Sequence, residues 1–299
     1  IDSFPSIYIG CSTITGGVTI TGPDITNLDS LIQIDSITQG LQIYNNNLLT
    51  SLQGLDGLRY IGSGVTISNN MELGSLSGLD SVSFIGGPLH IVGNPLLQNL
   101  NGLNGLTTIS GMEISGNASL VNLVGLDSVT SIQGMGTTIS DNIALTSLAG
   151  LNAVTSITGS FGIISNPLLF DLSDLNNLGS IGNGLYISSN SLLSNLGGLG
   201  SVNGFNGSLI IENNSSLSSC EAQFICDYLG ASPEIAIIQN NSTGCDNVPQ
   251  VQIACGIPVT CPGILTFNTQ ADIDSFPSIY VDCSTITGGV TITGPDITN

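Results

Sequence analysis

Acid–base chemistry in this chain would have to start from His90 and Glu113. When the repeats are stacked, both fall in one column of outward strand-centre positions. That column reads Thr19, Gln42, Thr66, His90, Glu113, Thr138, Gly162, Tyr186, Ile210 and Ala236. Asp141 follows one repeat further on. General acid–base work needs His, Lys or paired carboxylates, and this is the one constellation that offers them. The same residues also read as an exposed, mixed strand surface. That reading is preferred, so no catalytic residue and no enzymatic activity are expected. A second column holds Asp56, Asp80, Asn104, Asp127, Asn152 and Asn176. Stacked carboxylates can hold Ca²⁺ through oxygen ligands. Asp and Asn also bond local backbone in turns, and turn capping is the preferred role. No cofactor or metal ligand is therefore expected, with Ca²⁺ the alternative.

The third reactive set is seven cysteines: Cys11, Cys220, Cys226, Cys245, Cys255, Cys261 and Cys283. Cys11 and Cys283 are the same position in two copies of the opening stretch, so one period holds six; an even count, clustered at one end of an acidic, Lys-poor chain, points to disulfides and an oxidising compartment. Four of them sit together, so three pairings are open; Cys220–Cys245 and Cys226–Cys255 are favoured. Cys261 would pair with Cys283. The partner of Cys11 would then be an equivalent of Cys261, about 22 residues upstream of it on the repeat spacing.

These side chains are positioned by an internal repeat. The segments "LQIYNNNLLTSLQGLDGLRYIGSG", "VTISNNMELGSLSGLDSVSFIGGP" and "LHIVGNPLLQNLNGLNGLTTISG" share one template. A strand isoleucine recurs at Ile20, Ile43, Ile67, Ile91, Ile114, Ile139, Ile163, Ile187, Ile211 and Ile237, in steps of 23 to 26 residues. The L-x-I piece alternates as a short strand does, and L-x-x-L-x-x-L turns one apolar side chain inward every third residue. One rung cannot bury its apolar side alone, so ten rungs stack into a rod of about 50 Å. Three residues after each isoleucine comes an asparagine: Asn46, Asn70, Asn94, Asn117, Asn142, Asn166, Asn190, Asn214 and Asn240. An inward asparagine ladder would satisfy backbone groups at the corner. The first rung has Pro23 there instead.

The expected organisation has four parts. Residues 1–19 are the end of an N-terminal cap, and 20–217 are the rungs. Residues 218–256 form a disulfide cap, with a helix opened by a Ser218/Glu221 capping box and a second helix starting at Asn247. Residues 257–299 are a linker and the start of another copy. That copy is visible in the letters. Residues 273–299 repeat residues 1–27 with 25 of 27 identical, a period of 272. A strand and short helix near Ile264 and Thr266 would open it. The five residues "GIPVT" separate Cys255 from Cys261, too short a join for much motion between neighbours.

Composition limits the partners. The chain has one Arg (Arg59), no Lys and a net charge of −20. Binding a phosphate backbone takes several cations, so nucleic acid is excluded and anionic membranes are disfavoured. No apolar run reaches the roughly 20 residues of a spanning helix. Tandem copies of the chain itself, a homo-oligomeric fibre, and a glycan or cell-surface ligand remain as partners.

The template "GLQIYNNNLLTSLQGLDGLRYI" and its copies resemble the receptor L-domain type of leucine-rich-repeat solenoid over residues 14–240. With "CEAQFICDYL" and "NNSTGC", the chain is similar to L-domain-like repeats of large secreted surface proteins of the Bacteroidota. The resemblance implies a mainly β, right-handed solenoid with a helical disulfide cap. It also implies an extracellular adhesin or fibre exported by the type IX system. The motifs at 29–31, 35–37, 80–82 and 127–129 look like the O-glycosylation motif of that group, with Ser30, Ser36, Ser81 and Ser128 as acceptors; turn positions are the alternative. If the chain binds a ligand on a solenoid face, Tyr44, His90, Glu113 and Tyr186 are the candidate contacts.

Overall fold

A computed structural model describes residues 10–134, 136–232, 235–259, 265–280, 286 and 288–297. The period-2 pieces fold into a ten-stranded, all-parallel sheet: β1 (Val18–Ile20), β2 (Leu41–Tyr44), β3 (Val65–Ser68), β4 (Leu89–Val92), β5 (Met112–Ser115), β6 (Gly136–Ser140), β7 (Ser160–Ile164), β8 (Gly184–Ser188), β9 (Ser208–Glu212) and β10 (Ala236–Gln239). Successive strands are neighbours, so each repeat lies on the one before it. Two-residue strands precede the long ones and build two further parallel sheets. One runs from Thr13–Ile14 to Phe84–Ile85, the other from Thr108–Ile109 to Gly204–Phe205.

The core between the sheets is the leucine spacing made physical. Leu49, Leu52, Leu55 and Leu58 are buried, as are their counterparts in the later repeats. Each such leucine contributes about 1.5–3 kcal/mol of burial. The L-x-G-L-D piece has its own cause. Gly54, Gly78, Gly102, Gly125 and Gly150 all have φ between 104° and 119°. A Cβ at any of them would collide with a leucine carbonyl of the preceding repeat.

The asparagine ladder spans eight of the expected positions, all fully buried from Asn46 to Asn214. Each side chain reaches back one repeat. Asn142 Nδ2 donates to the Ile114 carbonyl at 2.9 Å, and its Oδ1 accepts from the Asn117 N–H at 3.1 Å. The residue before each ladder asparagine is left-handed, from Asn45 (φ 56°) to Asn213 (φ 59°). Asn46 Oδ1 alone in the ladder has no partner. The matching residue below it is Pro23, which has no N–H to give.

The last repeat corrects the expected register. Ile238 is the inward residue of β10 and pairs with Ile211, while Ile237 pairs with Ile210 and is 43% exposed. The outward column therefore ends at Ile237, not Ala236. The ladder ends at Asn241, not Asn240: Asn241 Oδ1 accepts from the Asn214 N–H at 3.0 Å. Asn240 takes the left-handed place before it, with φ 55°. Keeping the ladder bonds unbroken forces this phase.

Helix α1 (Gln223–Ala231) closes the apolar end. Phe224, Ile225 and Leu229 are buried, and the Tyr228 hydroxyl donates to the Gly207 carbonyl at 2.8 Å. Its start is not the expected capping box. The N-cap is Ala222 without a side-chain bond. Ser219 still bridges Asn195 in parallel fashion, so the chain follows the stack past Ser218 before turning into the helix. Helix α2 (Val248–Ala254) does start at Asn247, whose side chain accepts from the Gln250 N–H. Disulfides join Cys220 to Cys245 and Cys226 to Cys255. The Cys261–Cys283 pairing lies outside the described residues; Cys11 is unbonded to any described cysteine.

Beyond the cap, Leu265–Phe267 pairs in parallel with Val290–Ile292, and helix α3 (Gln270–Ile279) connects them. Val290–Ile292 is the sequence copy of β1. Thr269 and Asp272 form a capping box at the start of α3. The N–H groups of Asn268 and Thr269 hold the Asp272 carboxyl below the ordinary carboxylate range.

Candidate functional site

A shallow groove of about 500 Å³ runs over the outer face of the first strands. Thr19, Gln42, Thr66 and His90 project into it from strand centres, and Gly40 and Gly64 form part of its wall. Little room is left for a side chain at either glycine. A Cβ on Gly40 would sit 3.0 Å from the Gly64 carbonyl oxygen, and one on Gly64 would sit 2.9 Å from that of Pro88. The corner is thus left as bare backbone beside a row of hydroxyl and amide side chains. A second groove of about 440 Å³ continues it past His90, Glu113 and Thr138, sharing Pro88 and His90 with the first.

His90 and Glu113 are brought together as the column predicts. They pair directly across β4 and β5, with Nδ1 3.6 Å from Oε2. Both side chains are nearly half exposed, so the contact is worth at most about 1 kcal/mol. Asp141 does not join them. It has φ 57°, precedes ladder residue Asn142, and lines neither groove. Tyr186 shares the outward column but lies three strands beyond Glu113, and Tyr44 pairs with Ser68 in the next column. The four candidate contacts are therefore one pair and two outliers.

The Asp/Asn column caps turns. Gly54 N–H donates to Asp56 at 2.7 Å, Gly78 to Asp80 at 2.9 Å, Gly102 to Asn104 at 3.1 Å, Gly125 to Asp127 at 2.8 Å and Gly150 to Asn152 at 3.2 Å. Asn176 differs, because Asp174 replaces the glycine; its own N–H donates to the Ser173 carbonyl instead. Among the described residues no three His, Cys, Asp or Glu side chains converge to hold a metal. Of the serine acceptors, Ser128 is exposed, while Ser30, Ser36 and Ser81 are half-buried.

One exposed feature was missed in the sequence. Tyr60 and Phe84 open adjacent short strands and stack with ring centroids 5.0 Å apart and planes 7° from parallel. Their shared phase, 24 residues apart before "IG", was the available signal.

The receptor L domain family matches residues 10–74. The fold is receptor L-domain-like. The matched span covers β1 to β3, under a quarter of the chain. No curated protein and no solved structure matches the sequence. Two disulfides and an L-domain match fit an extracellular location. No helix among the described residues is long and apolar enough to cross a membrane.

Proposed function

We propose that this chain is one unit of a tandem array, a non-enzymatic spacer in an extracellular surface fibre or giant adhesin stalk. The carrying observation is the second copy of the opening sequence at a period of 272 residues. The parallel pair Leu265–Phe267 with Val290–Ile292 supports it, because the copied β1 strand gains a partner on its outer edge. In this reading each unit is a right-handed, L-domain-like solenoid of ten rungs. A bacterial source of the Bacteroidota type, with type IX export, fits the family resemblance. The partners are further copies in the same chain, and several chains bundling into one fibre. A native chain of about the 30.5 kDa of this sequence, encoded without further copies, would overturn it.

A second reading is a ligand-binding module. The L-domain match and the two adjoining grooves across β1 to β6, which Thr, Gln, His and Glu side chains enter, favour it. Hydroxyl and amide side chains along a concave strip suit a linear glycan or an extended peptide. Here His90→Ala and Gln42→Ala should weaken binding of such a ligand in a titration. Unchanged affinity in both variants would remove the groove from consideration.

A further inference from the structure

We propose that Tyr60, Phe84 and Arg59 form a saccharide site on the short-strand face, separate from the groove and independent of the array reading. Two aromatic rings on a soluble surface normally turn inward or find a cover. Tyr60 and Phe84 do neither: they are 43% and 45% exposed and stacked on one another. Below Tyr60, its strand partner in the same column is the short Ser36. Beyond Phe84, the sheet stops, and the next short strand belongs to a separate sheet starting at Thr108–Ile109. Rings stacked across adjacent strands present their free faces along the stack. Those faces therefore look over a serine on one side and a break in the sheet on the other. Gly86 lies beside the ring edge: a Cβ there would meet the Gly62 carbonyl first and come within 3.2 Å of one ring carbon of Phe84.

The polar half of the site is Arg59. It is the only Lys or Arg in a chain with 21 acidic residues. Among the described residues it forms no ion pair; the one ion pair is His90–Glu113. Its backbone N–H donates to the Asp35 carbonyl at 2.8 Å, and Ser83 N–H donates to the Arg59 carbonyl at 3.1 Å. Asp35, Arg59 and Ser83 thus form a column immediately beside the aromatic one. A pyranose ring presents an apolar C–H face and a rim of hydroxyls. The face suits an open aromatic ring. The rim needs donors and acceptors close by, and a guanidinium, a carboxylate and a serine hydroxyl are the groups in the neighbouring column. A stacked nucleobase would bring phosphates that a net charge of −20 repels.

The test is an array of neutral and uronate oligosaccharides probed with the folded chain, followed by titration of the best binder. Y60S/F84S and R59Q should each lower affinity at least tenfold, with circular dichroism unchanged because all three side chains are exposed. A uronate preference that R59Q abolishes would mean the guanidinium reads a carboxylate. Equal neutral binding that R59Q still weakens would mean it reads hydroxyls. No pyranose binding on the array, or binding that survives Y60S/F84S, overturns the proposal. Binding lost on His90→Ala but kept in Y60S/F84S overturns it too, and places the ligand in the groove.

Discussion

At the scale of single residues, the stack is decided by which polar groups find partners. Asn240 and Asn241 are the sharpest comparison, because they are neighbours of one type with opposite roles. Asn241 Nδ2 donates to the Ile211 and Cys245 carbonyls, and its Oδ1 serves the Asn214 N–H. Asn240 is exposed and needed for its left-handed backbone. In urea unfolding, Asn241→Ala should cost about 2–3 kcal/mol, because it orphans part-buried backbone groups. Asn240→Gly should stay within about 0.5 kcal/mol, since glycine accepts that φ freely. The reverse ranking would restore the register expected from the sequence. Thr137 tests the same physics from the other side. It occupies an inward position that Met112 and Phe161 fill on either side, and its hydroxyl has no partner. Thr137→Val keeps the shape and removes the orphan, so the unfolding midpoint should rise, by about 1 kcal/mol in stability. A fall would mean that the hydroxyl is satisfied after all.

At the scale of elements, the repeat is a closed set of local solutions. Gly102 shows how tightly they interlock. Its φ of 116° and the Leu76 carbonyl leave no room for a side chain, and its N–H is held by Asn104. Gly102→Ala should therefore destabilise by about 1–3 kcal/mol through backbone strain alone, more if the neighbouring repeat must shift. Denaturation of this variant beside Gly16→Ala, where a Cβ meets nothing, separates strain from a general loss of glycine. The same interlocking explains what could be read in advance. Leucine spacing, ladder asparagines and the Asp/Asn caps recur with every repeat, so one template predicts their burial and bonds. The misses fall where repetition stops. "IAIIQNN" offers two isoleucines and two asparagines, and only bonding to Asn214 selects the second of each. Ser218 and Glu221 match a capping box in letters, yet the backbone there still belongs to the stack. The Tyr60–Phe84 pair was only half legible: the shared phase puts the two rings in one outward column and says no more. Aromatic residues at one outward phase do not declare whether they stack on each other, fold inward or stand in water.

At the scale of the whole molecule, the question is what a stack with a repeated beginning builds. A parallel sheet of ten strands has two open edges. Here α1, α2 and two disulfides close one of them. If residues 257–299 open another copy, as proposed, the other edge would be closed in kind, since Leu265–Phe267 lies against the strand that repeats β1. In the proposed array, each unit would then be finished at both ends without needing its neighbour's sheet. An array built this way would be a chain of separate capped blocks, not one endless solenoid. Eleven strands at about 4.8 Å and a helical layer of about 10 Å give a block on the order of 60 Å long. Negative-stain images of the native material should then show filaments beaded at roughly that period. Treatment with reductant should loosen the caps first, because each disulfide contributes about 2–4 kcal/mol there, and the beads should blur before the filament parts. A smooth filament without an axial period would contradict capped blocks and favour a continuous sheet. Isolated particles the size of one block would remove the array itself, leaving the groove and the aromatic face as the features that function must explain.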